Sequence, residues 1–277
     1  MTTVQSALPE PGPDSISELH IEFDGRQLTV RTDVQEMLEF IADAYSAMLV
    51  PAEIVSCGRF EFLRSPNGYT ARGVSEGQYT APLHYLFEFV KAEVLLQFVT
   101  SRQDLMWMHA GGVELGGRAL LFAGPSGNGK STLATLLSER GWRFLSDDIA
   151  PIRMDADEVL PFPQTPRRRI HPGHHLAPAK MGELERETIT LDRALIQRAP
   201  TAIGGIVFPA FEDGRAAKLT RVAPGDAAFR LIRDCTNFAD HKSAAVSRSV
   251  ELARTIPVYG LSYSNGRDAA NLLDSLR

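Results

Sequence analysis

Residues 107–152 read WMHAGGVELGGRALLFAGPSGNGKSTLATLLSERGWRFLSDDIAPI, and this stretch decides the fold. Inside it, Gly124-Pro125-Ser126-Gly127-Asn128-Gly129-Lys130-Ser131 matches G-x-x-x-x-G-K-[ST] at every position. Each residue type has a physical task. Glycines let the backbone turn successive N–H groups inward as an anion nest. Lys130 supplies a point charge for the β- and γ-phosphates of a nucleotide, and a Ser131 hydroxyl can ligate the accompanying Mg²⁺. The flanks fit this reading. Residues 119–123 form a short apolar run suited to a buried strand, and Leu133, Leu136 and Leu137 lie on one helical stripe that ends at Gly141, a natural C′ residue. The helix N-terminus then points its partial positive charge at the phosphates. The rival reading is a Gly-rich turn with no ligand.

Strand arithmetic locates His109. If Gly116-Gly117 is a two-residue hairpin turn, Leu115 pairs with Arg118 and Val113 with Leu120. Without a bulge, His109 then falls opposite Gly124, where an imidazole could meet a phosphate or the attacking group. A histidine satisfied within the core is the alternative. After the loop helix, residues 142–145 read as a strand ending in Ser146-Asp147-Asp148. A strand–helix–strand crossover makes its two strands parallel, so Asp147 and Asp148 emerge at the edge that carries the loop. Neighbours on extended backbone point opposite ways, which suits one carboxylate for Mg²⁺ and one for an acceptor hydroxyl. An Asp-Asp turn or helix cap is the plainer alternative.

Working outward, the 277 residues suggest two domains. Residues 1–16 are expected to be a flexible leader, 17–100 a small α/β domain that packs or recognises substrate, and 101–277 an α/β domain carrying the glycine loop. In the first domain, hairpins centred on Asp24-Gly25 and on 65–68, an N-cap at Asp33 and a helix over 83–99 are expected. Farther on, 203–209 and 258–263 read as strands, and 227–233, 243–254 and 267–276 as helices.

Hydrophobic residues at 44% and charged residues at 23% exclude a disordered chain, and 34 acidic against 29 basic side chains exclude a global positive field. Nucleic-acid and membrane partners are therefore not expected. Two cysteines cannot make a disulfide framework. No apolar stretch approaches the roughly 20 residues needed to span a bilayer. The start carries no basic and apolar signal-peptide regions, so a cytoplasmic location is expected.

Three clusters stay open. Arg167-Arg168-Arg169 reads as a phosphate clamp, as a contact for an acidic peptide, or as a solvated basic loop; His171, His174 and His175 form a poor zinc set; Arg248 and Arg254 could face the nucleotide, but an exposed helix face is the expectation.

His109, the loop, Arg140-Gly141-Trp142 and the Ser146-Asp147-Asp148 turn together resemble the HPr kinase/phosphorylase superfamily. An Asp-Asp pair 17 positions past the loop lysine is unusual among P-loop proteins. More particularly, the chain resembles the HPr-kinase-related proteins, some of which accompany ribosomal peptide clusters, lasso peptides among them. The resemblance covers roughly residues 100–277, with its specific motifs in 107–150. It implies a kinase-type P-loop domain that moves the γ-phosphate of ATP, with Mg²⁺, to a serine hydroxyl of a protein or peptide such as a precursor peptide. By analogy Gly124, Pro125, Ser126, Gly127, Asn128, Gly129, Lys130, Ser131 and Thr132 hold ATP, and Ser131 and Asp148 serve the metal. Asp147 is the base, with Lys130 and His109 at the phosphate. The loop reads Gly-Lys-Ser-Thr rather than the Gly-Lys-Ser-Glu of HPr kinases, which argues against HPr as acceptor. Nucleotidyl transfer, a non-catalytic ATP-binding partner and a homo-oligomer remain open. No LSGGQ-like signature follows, which sets aside an ABC-type ATPase.

Overall fold

The computed structural model describes residues 15–52, 56–169 and 186–276. The expected leader therefore falls outside the described residues except at 15 and 16, as do His171, His174 and His175.

The chain divides into two compact units, Met1–Ser101 and Arg102–Arg277. The first carries β1 (Ser17–Phe23), β2 (Arg26–Thr32), α1 (Gln35–Ala44), β3 (Ser56–Ser65), β4 (Gly68–Arg72), β5 (Glu76–Tyr79) and α2 (Leu83–Ser101). Its five strands lie in chain order, antiparallel except for the β2–β3 pair. Asp24 and Gly25 both take positive φ, as a tight primed turn demands. Leu19, Ile21 and Phe23 of β1 alternate inward, and Phe23 meets Phe98 of α2 edge-on. Asp33 does not cap α1. Val34 holds the N-cap position, its N–H donating to Thr32 Oγ1, while the Asp33 carboxylate accepts from the Arg64 N–H. A cross-strand donor has taken the acceptor that would have served the helix.

The second unit contains β6 (Leu105–Met108), β7 (Ala110–Leu115), β8 (Arg118–Ala123), α3 (Lys130–Ser138), β9 (Arg143–Ser146), β10 (Ala150–Arg153), β11 (Glu158–Val159), β12 (Arg167–Arg169), β13 (Arg186–Thr188), β14 (Thr201–Phe211), β15 (Lys218–Arg221), α4 (Pro224–Arg233), α5 (Phe238–His241), α6 (Ser243–Thr255), β16 (Val258–Tyr263) and α7 (Gly266–Asp274). The main sheet runs β6-β10-β11-β14-β8-β7-β9, with β16 parallel to β14 and β15 on β16. β8 reads as a continuous apolar run because both of its faces are covered. Leu120 and Phe122 pack with Leu133 and Leu137 of α3 and Leu273 of α7. Ala119, Leu121 and Ala123 pack with Leu231 of α4 and Leu252 of α6. The unit is thus a helix–sheet–helix sandwich.

The α3 crossover leaves β8 and returns on β9 with β7 wedged between them, antiparallel to both, so β8 and β9 are parallel without touching. Arg248 departs from expectation. It is buried at 4% exposure, with Nε donating to Arg153 O, Nη2 to Ala156 O and an ion pair to Asp157, so it fastens the β10–β11 turn to α6.

Candidate active site

The site is built from a hairpin, a helix start and a borrowed strand. Gly116 and Gly117 both have positive φ, and the β7–β8 ladder runs without a bulge from Leu115↔Arg118 to Ala110↔Ala123. The ladder stops there: His109 is a bend just before β7, next to the pair that precedes Gly124. The loop after β8 has positive φ at Gly124, Gly127 and Gly129, and Gly129 is the N-cap of α3. Lys130 opens that helix, only 4% exposed, with Nζ donating to Gly124 O (2.8 Å) and Pro125 O (3.3 Å).

His109, Lys130 and Asp148 come together. The imidazole Nε2 lies 2.8 Å from Asp148 Oδ1 and 3.1 Å from Lys130 Nζ, and the ammonium is 3.8 Å from the same carboxylate oxygen. Nε2 carries one proton or one lone pair, so it serves one neighbour at a time. Protonated, it donates to Asp148; bare, it accepts from Lys130. Burial pushes the Lys130 pKa below its ordinary value, against the opposing pull of Asp148, Asp147 and Asp234.

The two aspartates are not equivalent. The Asp148 side chain is 51% exposed at the mouth of the site, whereas Asp147 is 6% exposed and near enough to act on Lys130 by charge alone. A close approach fixes their turn, for a Cβ on Gly111 of β7 would lie 2.6 Å from Asp147 O. Ser146, fully buried, closes the turn from its hydroxyl to Ile149 O. Among the described residues no three His, Cys, Asp or Glu side chains converge as a metal cage. Such a donor set suits a cation that keeps waters and phosphate oxygens among its ligands, using one or two carboxylates and a hydroxyl.

Three supports were not read from the sequence. The segment after α4 runs beside β6 as a surrogate strand, and Asp234 O accepts the His109 N–H (2.8 Å). Asn237 braces the same place from both sides. Its Oδ1 accepts from Trp107 N (3.0 Å) and its Nδ2 donates to Leu105 O (3.0 Å). At the loop, the Tyr263 hydroxyl at the end of β16 donates to Asn128 O (3.0 Å), and burial pushes its pKa up to about 12. These residues lie far along the chain from what they support, and no local pattern marks them. The triple arginine forms β12, paired to β13 with Arg167 opposite Thr188. Arg254 is exposed, as expected.

No protein-family model matches the chain, and no curated protein matches it either. Among solved structures it is similar to the Hpr(Ser) kinase/phosphatase from Coxiella burnetii. The identity is 12% and the TM-score 0.30, over 61% of this chain and 92% of that one. Likeness at that level carries nothing about substrate or chemistry.

Proposed function

We propose that the second unit is an ATP-dependent kinase that transfers the γ-phosphate to a serine hydroxyl of a peptide or protein. One observation carries this reading: a buried lysine, an imidazole and an exposed carboxylate lie within 3.8 Å of one another at the mouth of a glycine loop that opens a helix. The loop suits a polyphosphate, because Gly124, Gly127 and Gly129 take the positive φ that lets successive N–H groups turn inward, and Lys130 stands at its floor. Bound Mg²⁺, held by Ser131 and a carboxylate, would neutralise phosphate charge.

The residues divide the work as follows. Lys130 turns from the Gly124 and Pro125 carbonyls toward the phosphates. His109, released from Lys130, keeps its Nε2 proton on Asp148 and orients that carboxylate. Asp148 takes the proton of the acceptor hydroxyl as its oxygen bonds to the γ-phosphorus and the bond to the β-bridging oxygen breaks, releasing ADP. Asp147, the buried member of the pair, would hold the metal together with Ser131. This exchanges the aspartate roles expected from the resemblance, since a base must reach a solvent-borne hydroxyl and Asp148 is the exposed member of the pair.

The test is mass spectrometry of serine peptides, precursor peptides first, incubated with the protein, ATP and Mg²⁺. A phosphoryl adduct supports the reading. A heavier adenylyl adduct makes the protein a nucleotidyl transferase, and nucleotide binding with no adduct on any peptide makes it a binding partner. Asp148→Asn is expected to abolish transfer and spare ATP affinity, whereas Asp147→Asn raises the Mg²⁺ requirement; the reverse pattern restores the other assignment.

A further inference from the structure

The last turn of α4 ends against His109, and its outward side chains have no task in the reaction described above. Arg233 is 52% exposed, and its hydrogen bond among the described residues leaves from Nε to Asp234 Oδ1 (3.1 Å). The end-on edge of the guanidinium, Nη1 and Nη2, has no partner among those residues. Asp234 itself is 8% exposed, and its Oδ2 also has no hydrogen-bond partner among them. A pair built for stability alone would not bury a carboxylate and leave half of it unmet. What the arrangement does achieve is to hold an arginine fork by one edge and present the other to solvent. That edge matches an oxyanion bidentately.

One helical turn back on the same face stands Phe229, 70% exposed, the most exposed of the large apolar side chains described. Because the Asp234 carbonyl accepts the His109 N–H, the Arg233 end of this face abuts the reaction site and the Phe229 end lies farther out.

We propose that the outer face of α4 is the docking strip for the acceptor peptide, with Arg233 anchoring an acidic side chain and Phe229 seating an apolar one. This rests on the transfer reading above. Four residues of helix advance about 6 Å, and an extended peptide advances about 3.3 Å per residue. The acceptor therefore carries its acidic residue nearer the serine and its apolar residue two positions beyond. Nucleotide phosphate is the other oxyanion that could meet the fork, and the measurement below separates the two.

The experiment measures anisotropy of fluorescein-labelled serine peptides against the full chain with Mg²⁺ and a non-hydrolysable ATP analogue. One set places Asp-x-Leu at successive distances from the serine; matched sets carry Asn for Asp or Ala for Leu. The Asp peptide of best spacing is expected to bind about tenfold tighter than its Asn partner, as a bidentate charge-assisted contact implies. Arg233→Gln erases that difference, Arg233→Lys recovers only part of it, and Arg233→Glu makes a Lys peptide the preferred one. Phe229→Ala lowers affinity for the Leu peptide alone. Equal binding of acidic and neutral peptides to the unaltered protein, including no binding of either, overturns the proposal. So does loss of mant-ATP affinity in Arg233→Gln, which would put the fork on the nucleotide. Acid-selective binding without phosphoryl transfer leaves the strip standing and removes the kinase reading; transfer without acid selectivity does the reverse.

Discussion

The site joins two regions of different character. Residues 109–148 follow local rules: a glycine pair sets a turn, and the turn sets a register that reaches Ala110, beside His109. Residues 234–263 supply the bracing, and each acts at long range: Asp234 on His109, Asn237 on β6, Tyr263 on the loop. The first region gives the reactive groups; the second decides how exactly they are held. Their separation in sequence means that each can be damaged while the other stays intact.

The largest expected effect lies where the two regions collide. A Cβ on Gly129 would sit 1.8 Å from the Tyr263 hydroxyl, at φ +88. Gly129→Ala therefore combines left-handed strain with an overlap against a buried ring. It should cost on the order of 3–5 kcal/mol and abolish nucleotide binding. Thermal melting and mant-ATP titration check this. Gly129→Ala/Tyr263→Phe, which removes the colliding oxygen, is expected to recover part of the stability; no recovery would show that the two regions do not meet as described.

Next comes Asn237, which satisfies one buried donor and one buried acceptor of β6. Asn237→Leu leaves both unmet, at about 2–3 kcal/mol. Because it loosens β6, which leads directly into His109, phosphoryl transfer should fall more than ATP affinity does. Equal losses in both would mean that the borrowed strand supports the fold without positioning the imidazole. Gly111→Ala should act from the other side of the site, with a smaller loss of stability. The added methyl meets Asp147 O at 2.6 Å and must displace the aspartate turn. Transfer should drop at least tenfold with nucleotide binding preserved, measured as kcat against the Kd for ATP.

This division also explains what the sequence made legible. The β7–β8 hairpin, the loop, α3 and the return strand β9 were readable because turn chemistry and apolar periodicity are local. Gly116-Gly117 sets the β7–β8 register as far as Ala110↔Ala123, one residue short of His109, from local turn chemistry alone. The wedging of β7 between β8 and β9 was not readable, since a crossover rule gives strand direction and leaves adjacency open. The inequality of Asp147 and Asp148 escaped for a similar reason. Alternation on an extended backbone says that they diverge but not which one is buried; that depends on Gly111 and Ser146 across the turn. Arg248 looked like a surface residue because its partners are the carbonyls of Arg153 and Ala156 and the carboxylate of Asp157, and carbonyls leave no mark in a sequence.

The smallest effect is the most specific. Tyr263→Phe removes one hydroxyl donating to Asn128 O, worth about 1 kcal/mol, so the loop should loosen and ATP affinity fall a few-fold. Its signature is in pH. Burial raises the Tyr263 pKa from 10.0 to about 12, so the folded chain keeps a proton that the unfolded chain gives up. Below pH 10 both states hold it and this group leaves stability unchanged with pH. Between pH 10 and 12 the unfolded state alone loses it, and stability falls by about 3 kcal/mol. Urea unfolding at stepped pH should show that decline in the unaltered protein and a shallower one in Tyr263→Phe. Parallel curves would place the hydroxyl in contact with water, and the link between β16 and the glycine loop would then be lost from the account of how the distant region steadies the near one.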